Sequence, residues 1–129
     1  MGTGISTECR KCQNQETFLF GVGMIYWDLS NIISFFTPGV QKKVLELEEK
    51  YRFEEVDYSH ELFECIHCDT AHSRLSLEIK YSGSLVYKPQ FKCYECKRKL
   101  KPTNRDVGSF KCRKCYSYDL VETNYINWD

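Results

Sequence analysis

The fold class this sequence predicts is small, metal-stabilised α+β: two β-hairpin-rich lobes, the first enlarged by a helical-hairpin insertion. Three observations predict it. All eight cysteines fall into four Cys-x-x-Cys pairs, Cys9/Cys12, Cys65/Cys68, Cys93/Cys96 and Cys112/Cys115. Apolar residues around the pairs alternate or run in short β-prone stretches, whereas residues 28–51 carry helix-start signals and helical spacing. With 129 residues the chain makes one domain or two small ones, and a lobe below roughly 40 residues usually needs a metal or disulfide to stay folded.

Two residues between cysteines let one tight turn aim both sulfurs at a single ion. Four such turns supply thiolates for two tetrahedral four-cysteine sites, the donor set and spacing of structural zinc. Two Zn²⁺ held by Cys9, Cys12, Cys65, Cys68, Cys93, Cys96, Cys112 and Cys115 are therefore expected. Such sites leave no coordination position for a substrate or an activated water. Disulfides are the competing use of eight cysteines, but Met1-Gly2-Thr3-Gly4 has neither the charged nor the apolar region of a secretory signal. A reducing, cytoplasmic setting in which thiols persist is the expectation, and no apolar run approaches the roughly 20 residues that span a bilayer. A thioredoxin-like redox site would be one pair opening a helix in a βαβ unit. A rubredoxin-type iron site uses the same two turns and makes electron transfer the remaining metal chemistry. Here Cys9-Arg10-Lys11-Cys12, Cys93-Tyr94-Glu95-Cys96 and Cys112-Arg113-Lys114-Cys115 lack the Pro and Gly common in such turns.

Fifteen residues separate Cys96 from Cys112, the spacing of a compact four-cysteine site. Residues 89–129 thus read as a self-sufficient lobe, with breaks at Pro102 and Gly108 and a β-rich exit through Tyr116, Tyr118, Leu120 and Val121. The first two pairs, 52 residues apart, then belong to each other across an insertion. The expected organisation is an N-terminal lobe at 1–82, a linker at 83–88 and the C-terminal lobe at 89–129. A cross-braced pairing is the alternative.

The elements follow in order. Phe18 to Trp27 is apolar and β-prone, and its glycines, Gly21 and Gly23, suggest a bulge or close backbone approach. Asp28 caps a short helix from Leu29 to Phe36. Thr37 caps a second, with Pro38 at its first position, where a missing N–H is harmless. Val40, Val44, Leu47 and Tyr51 follow at helical spacing, with Lys42, Lys43, Glu46, Glu48, Glu49 and Lys50 on the wetter faces. From Arg52 to Cys65 the chain reads as extended. Leu75, Leu77, Ile79 and Tyr81 alternate with Ser76, Glu78 and Lys80, a half-buried strand, and Ser82-Gly83-Ser84 is a turn or short linker. Trp27, Phe35 and Phe36 either complete a core that the small lobe lacks or form an apolar surface that docks a partner protein.

His60, His67 and His72 surround the second pair, but eight cysteines already satisfy two ions, so no histidine ligand is required. No nucleophile–base pair, phosphate-cradling glycine loop or paired-carboxylate pattern stands out, and Glu48/Glu49 and Glu54/Glu55 read as solvated faces. The chain is expected not to be an enzyme, and no small-molecule substrate is evident.

Charge is divided. The formal net charge is zero, but residues 88–115 hold ten Lys and Arg against two acidic residues, a net +8. A zinc ion with four thiolates carries about −2, leaving about +6 when one site is loaded. Lys97, Arg98, Lys99, Lys101, Arg105, Lys111, Arg113 and Lys114 in this segment, with Phe91, Tyr94, Phe110, Tyr116 and Tyr118 nearby, suit nucleic acid. Cations neutralise phosphates and exposed rings stack on unpaired bases. The arginines offer bidentate geometry to phosphate or base. The competing use of the same cations is to offset the charge of the thiolate sites or to pair with the acidic first lobe.

At Cys93-Tyr94-Glu95-Cys96 and Cys112-Arg113-Lys114-Cys115 the chain resembles the zinc-ribbon superfamily, and Cys9/Cys12 with Cys65/Cys68 is similar to a second, expanded member. The usual Gly after the second cysteine is replaced by Gln13, Asp69, Lys97 and Tyr116. The resemblance implies tandem ribbons serving as a rigid platform for nucleic acid (DNA or RNA) or for a protein partner.

Overall fold

The computed structural model describes residues 2–22 and 29–128, apart from the side chain of Asn31. Trp27, Asp28 and Gly23, read above as a docking ring, a helix cap and a bulge residue, lie outside the described residues.

Strands β1 (Gly2–Cys9) and β2 (Gln15–Gly21) form an antiparallel hairpin whose tip is the first cysteine turn. On its other edge β1 pairs with β7 (Leu120–Trp128), so the two ends of the described chain lie side by side. Gly4 makes room for this pairing: a Cβ there would meet Ile126 Cγ1 at 2.8 Å. Beside it, Trp128 Nε1 donates to the Thr3 carbonyl at 2.7 Å.

The second hairpin is longer. β3 (Phe53–Cys65) and β4 (Thr70–Tyr81) pair along their whole length with the second cysteine turn at the tip. β5 (Leu85–Tyr87) returns on the far edge of β4 after a turn in which Ser82 and Gly83 have φ of 50° and 79°. Residues 83–88, expected as a linker, thus contain a strand of the sheet. The near edge of β3 is shared. Gly21 of β2 pairs with His60, and the two-residue β6 (Lys101–Pro102) pairs with Phe63 and Glu64.

Helix α1 (Leu29–Ile32) is a single turn that runs into a 3₁₀ turn, Ile33–Phe35. Helix α2 (Pro38–Lys50) is the one substantial helix among the described residues, so the helical hairpin expected over 28–51 is one helix with a short lead-in. Thr37 caps it as anticipated, its hydroxyl accepting from the Val40 amide at 3.4 Å. Val44 and Leu47 are buried, and Val44 packs with Leu75, Leu77 and Ile79 of β4, together with Ile32 and Phe36. A second cluster, Phe18, Leu62, Ala71, Val107 and Phe110, joins the β1–β2–β7 ribbon to the β3–β4 hairpin.

β4 departs from a half-buried strand. Its alternate face, Thr70, His72 and Ser76, is buried too, because residues 88–100 fold across it. Arg74 fastens that cover: it donates to the Lys92 carbonyl at 2.9 Å, and its guanidinium carbon lies 4.1 Å from the Tyr94 ring centroid. Phe63, Leu100, Cys65 and Cys93 make a third small core there.

Candidate metal centres

Each Cys-x-x-Cys pair makes the same turn. The amide of the residue after the second cysteine donates to the carbonyl of the first: Gln13 to Cys9, Asp69 to Cys65 and Tyr116 to Cys112 at 2.8 Å, Lys97 to Cys93 at 3.0 Å. Those four residues all have left-handed backbone, with φ of 61°, 55°, 60° and 64° for Gln13, Asp69, Tyr116 and Lys97. This is the conformation for which glycine would be the unstrained choice. The first cysteine's amide then donates onward to the carbonyls of Asn14, Arg98 and Ser117 in three of the turns, at 2.9, 2.8 and 2.8 Å. Cys65 instead faces Thr70 in the β3–β4 ladder. Each turn leaves two sulfurs on one side.

The turns meet as first with fourth and second with third. Cys9, Cys12, Cys112 and Cys115 form one four-sulfur group, and Cys65, Cys68, Cys93 and Cys96 the other, with ligand atoms in each group within 4.8 Å of one another. This corrects the sequential pairing, and the pairing is nested rather than cross-braced. Sheet closure is the reason. Pairing of β1 with β7 sets Cys9 opposite Leu120, and Arg10 donates to the Asp119 carbonyl at 2.9 Å, which carries the first turn onto the fourth. The cover over β4 carries the third turn onto the β3–β4 tip.

Both groups fit a tetrahedral ion. Metal–sulfur bonds of about 2.3 Å place sulfurs about 3.8 Å apart. The Cys9–Cys115, Cys12–Cys112 and Cys65–Cys96 Sγ separations are 3.5, 3.6 and 3.5 Å. Backbone amides point at the sulfurs, Cys68 N to Cys65 Sγ and Lys114 N to Cys112 Sγ, each at 3.4 Å. The thiols divide in acidity. The Ser117 hydroxyl, 3.4 Å from Cys9 Sγ, leads in drawing Cys9 down to about 6, and a backbone hydrogen bond at Arg98 leads in drawing Cys96 to about 7. Burial and neighbouring sulfurs push Cys68 up to about 12. A cation removes that conflict, since thiolates crowded together need a positive charge among them.

Sequence reasoning missed the residues that surround the sulfurs. Ser117 Oγ also lies 3.2 Å from Cys115 Sγ. His72, only 1% exposed, places Nε2 at 3.1 Å from Thr70 Oγ1 and 3.8 Å from Cys93 Sγ, and burial pushes its imidazole down to about 4. The sequence places His72 near the second pair, but its position in the alternation of β4 reads as a solvent face until residues 88–100 cover it. His67 is exposed within its turn.

Glu95, inside the third turn, links the two centres. It lies 3.2 Å from Cys93 Sγ and accepts from Arg113 of the fourth turn at 3.3 Å; Arg113 also faces Glu16 at 3.8 Å. Against the burial that favours its neutral form, the Cys93 thiol and Arg113 hold the Glu95 carboxyl below the usual range. Asp69, after the second turn, is a second link. It accepts from Tyr118 and Arg105, and its carbonyl accepts from the Lys111 amide at 2.8 Å.

The basic residues therefore separate into two kinds. Arg113 is occupied as above. Arg105 pairs with Asp69 at 2.9 Å and Glu64 at 3.1 Å and lies over the Phe110 ring, while Lys111 lies over Tyr118. Lys97, Arg98, Lys99, Lys101 and Lys114 are exposed and form no ion pair among the described residues, although Lys97 Nζ donates to the Tyr94 carbonyl. In the insertion, Phe35 is 56% exposed and Phe36 only 7%, so Phe36 belongs to the core rather than to a docking surface. No described helix is long and apolar enough to cross a membrane. Comparison of the chain with protein-family models, curated proteins and solved structures gives no match.

Proposed function

We propose that this protein is a non-catalytic zinc-binding module whose basic segment, residues 88–115, docks nucleic acid. Two four-cysteine groups with tetrahedral spacing support structural zinc: thiolate sets are closed sites, and their metal serves to hold the chain. The observation that carries the nucleic-acid reading is the division among the cations. Arg105 and Arg113 are occupied by acids of the fold, whereas Lys97, Arg98, Lys99, Lys101 and Lys114 are exposed with no ion-pair partner among the described residues. Residues 88–115 supply half the thiolates of each site, so loading both metals still leaves the segment at about +6. Tyr94, 55% exposed, adjoins Lys97, whose Nζ donates to the Tyr94 carbonyl.

The test is oligonucleotide binding by the zinc-loaded protein across a salt series. Replacing Lys97, Lys99 and Lys101 together by alanine is expected to weaken binding to every sequence and to lower the salt slope by roughly one for each phosphate left without its lysine. Unchanged affinity and slope would remove this surface as the site. Metal analysis of the same sample distinguishes zinc from iron, for which these turns also serve.

A second reading, a protein–protein adaptor, is favoured by Phe35 and Leu45, which are 56% and 58% exposed on the helical segment. Polar replacement of both would then abolish partner capture without altering the melting transition.

A further inference from the structure

A groove of about 220 Å³ lies where residues 88–102 cross the β3–β4 hairpin. Phe63, Phe91, Leu100 and Pro102 contribute to its apolar lining, and Lys88, Gln90 and Lys99 are its exposed polar members. The volume is below the roughly 300 Å³ at which pockets for drug-sized ligands begin, so the groove suits one planar ring system rather than a larger molecule. Of these, Lys99 has no ion pair among the described residues, Lys88 Nζ reaches Glu78 at 4.0 Å, and Gln90 carries an amide that both donates and accepts. Lys97, Arg98 and Lys101 continue the same positive surface along the chain. An apolar slot flanked by cations complements a molecule with a flat ring and negative charge on either side of it.

We infer that this groove receives a single unpaired nucleobase, with Lys88 and Lys99 engaging the phosphates that flank it. The inference rests on the nucleic-acid reading and narrows it to single strands: a paired base stays in its stack and cannot enter a slot, whereas an unpaired one can be splayed out and laid against an aromatic ring. Phe91 supplies that ring; it forms a T-shaped pair with Phe63 at a centroid distance of 5.4 Å, and the Arg74 guanidinium carbon lies over it at 5.4 Å from the centroid. The exposed Gln90 amide would then meet the hydrogen-bonding edge of the base.

The experiment uses the full, zinc-loaded chain and three labelled probes: a short single-stranded oligonucleotide, the same strand with abasic residues, and the duplex of the same sequence. The base-bearing strand is expected to bind about tenfold more tightly than the abasic strand, the scale of one base–aromatic stack. Phe91→Leu is expected to erase that preference. Because Phe91 also packs on the small core near the second centre, Gln90→Ala with Lys99→Ala provides a surface variant that should reduce the preference without touching that core. Equal binding of the base-bearing and abasic strands, or a preference that survives all these substitutions, overturns the groove while leaving the basic surface as a general docking site. Failure of the wild-type protein to bind any of the three probes overturns the underlying nucleic-acid reading as well.

Discussion

At the residue scale, the four positions after the cysteine pairs show how a requirement can be met by an unsuitable side chain. Gln13, Asp69, Lys97 and Tyr116 all take left-handed φ, which costs an ordinary residue roughly 1 kcal/mol or more. Gln13→Gly and Lys97→Gly are each expected to stabilise the metal-loaded protein by roughly 0.5–1 kcal/mol, since relief of that strain exceeds glycine's added unfolded-state entropy. The shift would be read from denaturant midpoints. Asp69→Gly is expected to have the opposite sign, because it removes the carboxylate that holds Tyr118 and Arg105. Those two donors, the Tyr118 hydroxyl first, hold the Asp69 carboxyl below the usual carboxylate range. The unfolded state therefore takes up the proton first as pH falls. Asp69 contributes its stability above its unfolded pKa and loses it as pH drops through the lower folded value.

At the scale of elements, nested pairing changes what a cysteine substitution does. Under sequential pairing Cys112→Ser would spare the first turn. In the observed arrangement it removes a ligand from the centre that also contains Cys9, at the place where β7 joins β1. Cys9→Ser and Cys112→Ser are expected to behave alike, each retaining one bound metal per chain and releasing β7. Cys65→Ser and Cys93→Ser should form a second matched pair that loosens residues 88–100 instead. Metal stoichiometry and amide exchange for the four variants check this. If Cys9→Ser instead matches Cys65→Ser, the pairing is sequential after all. Arg113 and Glu95 connect the two turns across the gap between centres, so the centres are mechanically joined without sharing a ligand.

For the molecule as a whole, the four-cysteine groups and the apolar core secure different regions. The Val44 face of α2 packs on Leu75, Leu77 and Ile79 away from the sulfurs, whereas the third core consists largely of ligands and their immediate neighbours. Binding free energy in such sites is folding free energy. Chelation is therefore expected to abolish the cooperative melt, with amides of Leu120–Trp128 and residues 92–100 losing exchange protection before those of α2. Uniform loss of protection at the lowest chelator concentration would mean that metal and core form one cooperative unit.

Local chemistry made part of this legible in advance. Cys-x-x-Cys turns, the Thr37–Pro38 helix start and the apolar alternation of β4 are set by contacts within a few residues, so their spacing announces them. The four-sulfur stoichiometry follows from the same counting. The partnership of the turns does not, because Cys9 and Cys112 are brought together by closure of β7 onto β1, a contact between distant parts of the chain that Gly4 accommodates beside Ile126. The buried setting of His72 and the division between the occupied Arg105 and Arg113 and the exposed Lys97, Arg98, Lys99, Lys101 and Lys114 also arose only in three dimensions. By itself the sequence determined the turns, the helix and the donor set. Tertiary structure alone decided which turns share a centre and which cations stay exposed, since sheet closure and the packing of residues 88–100 over β4 fix both.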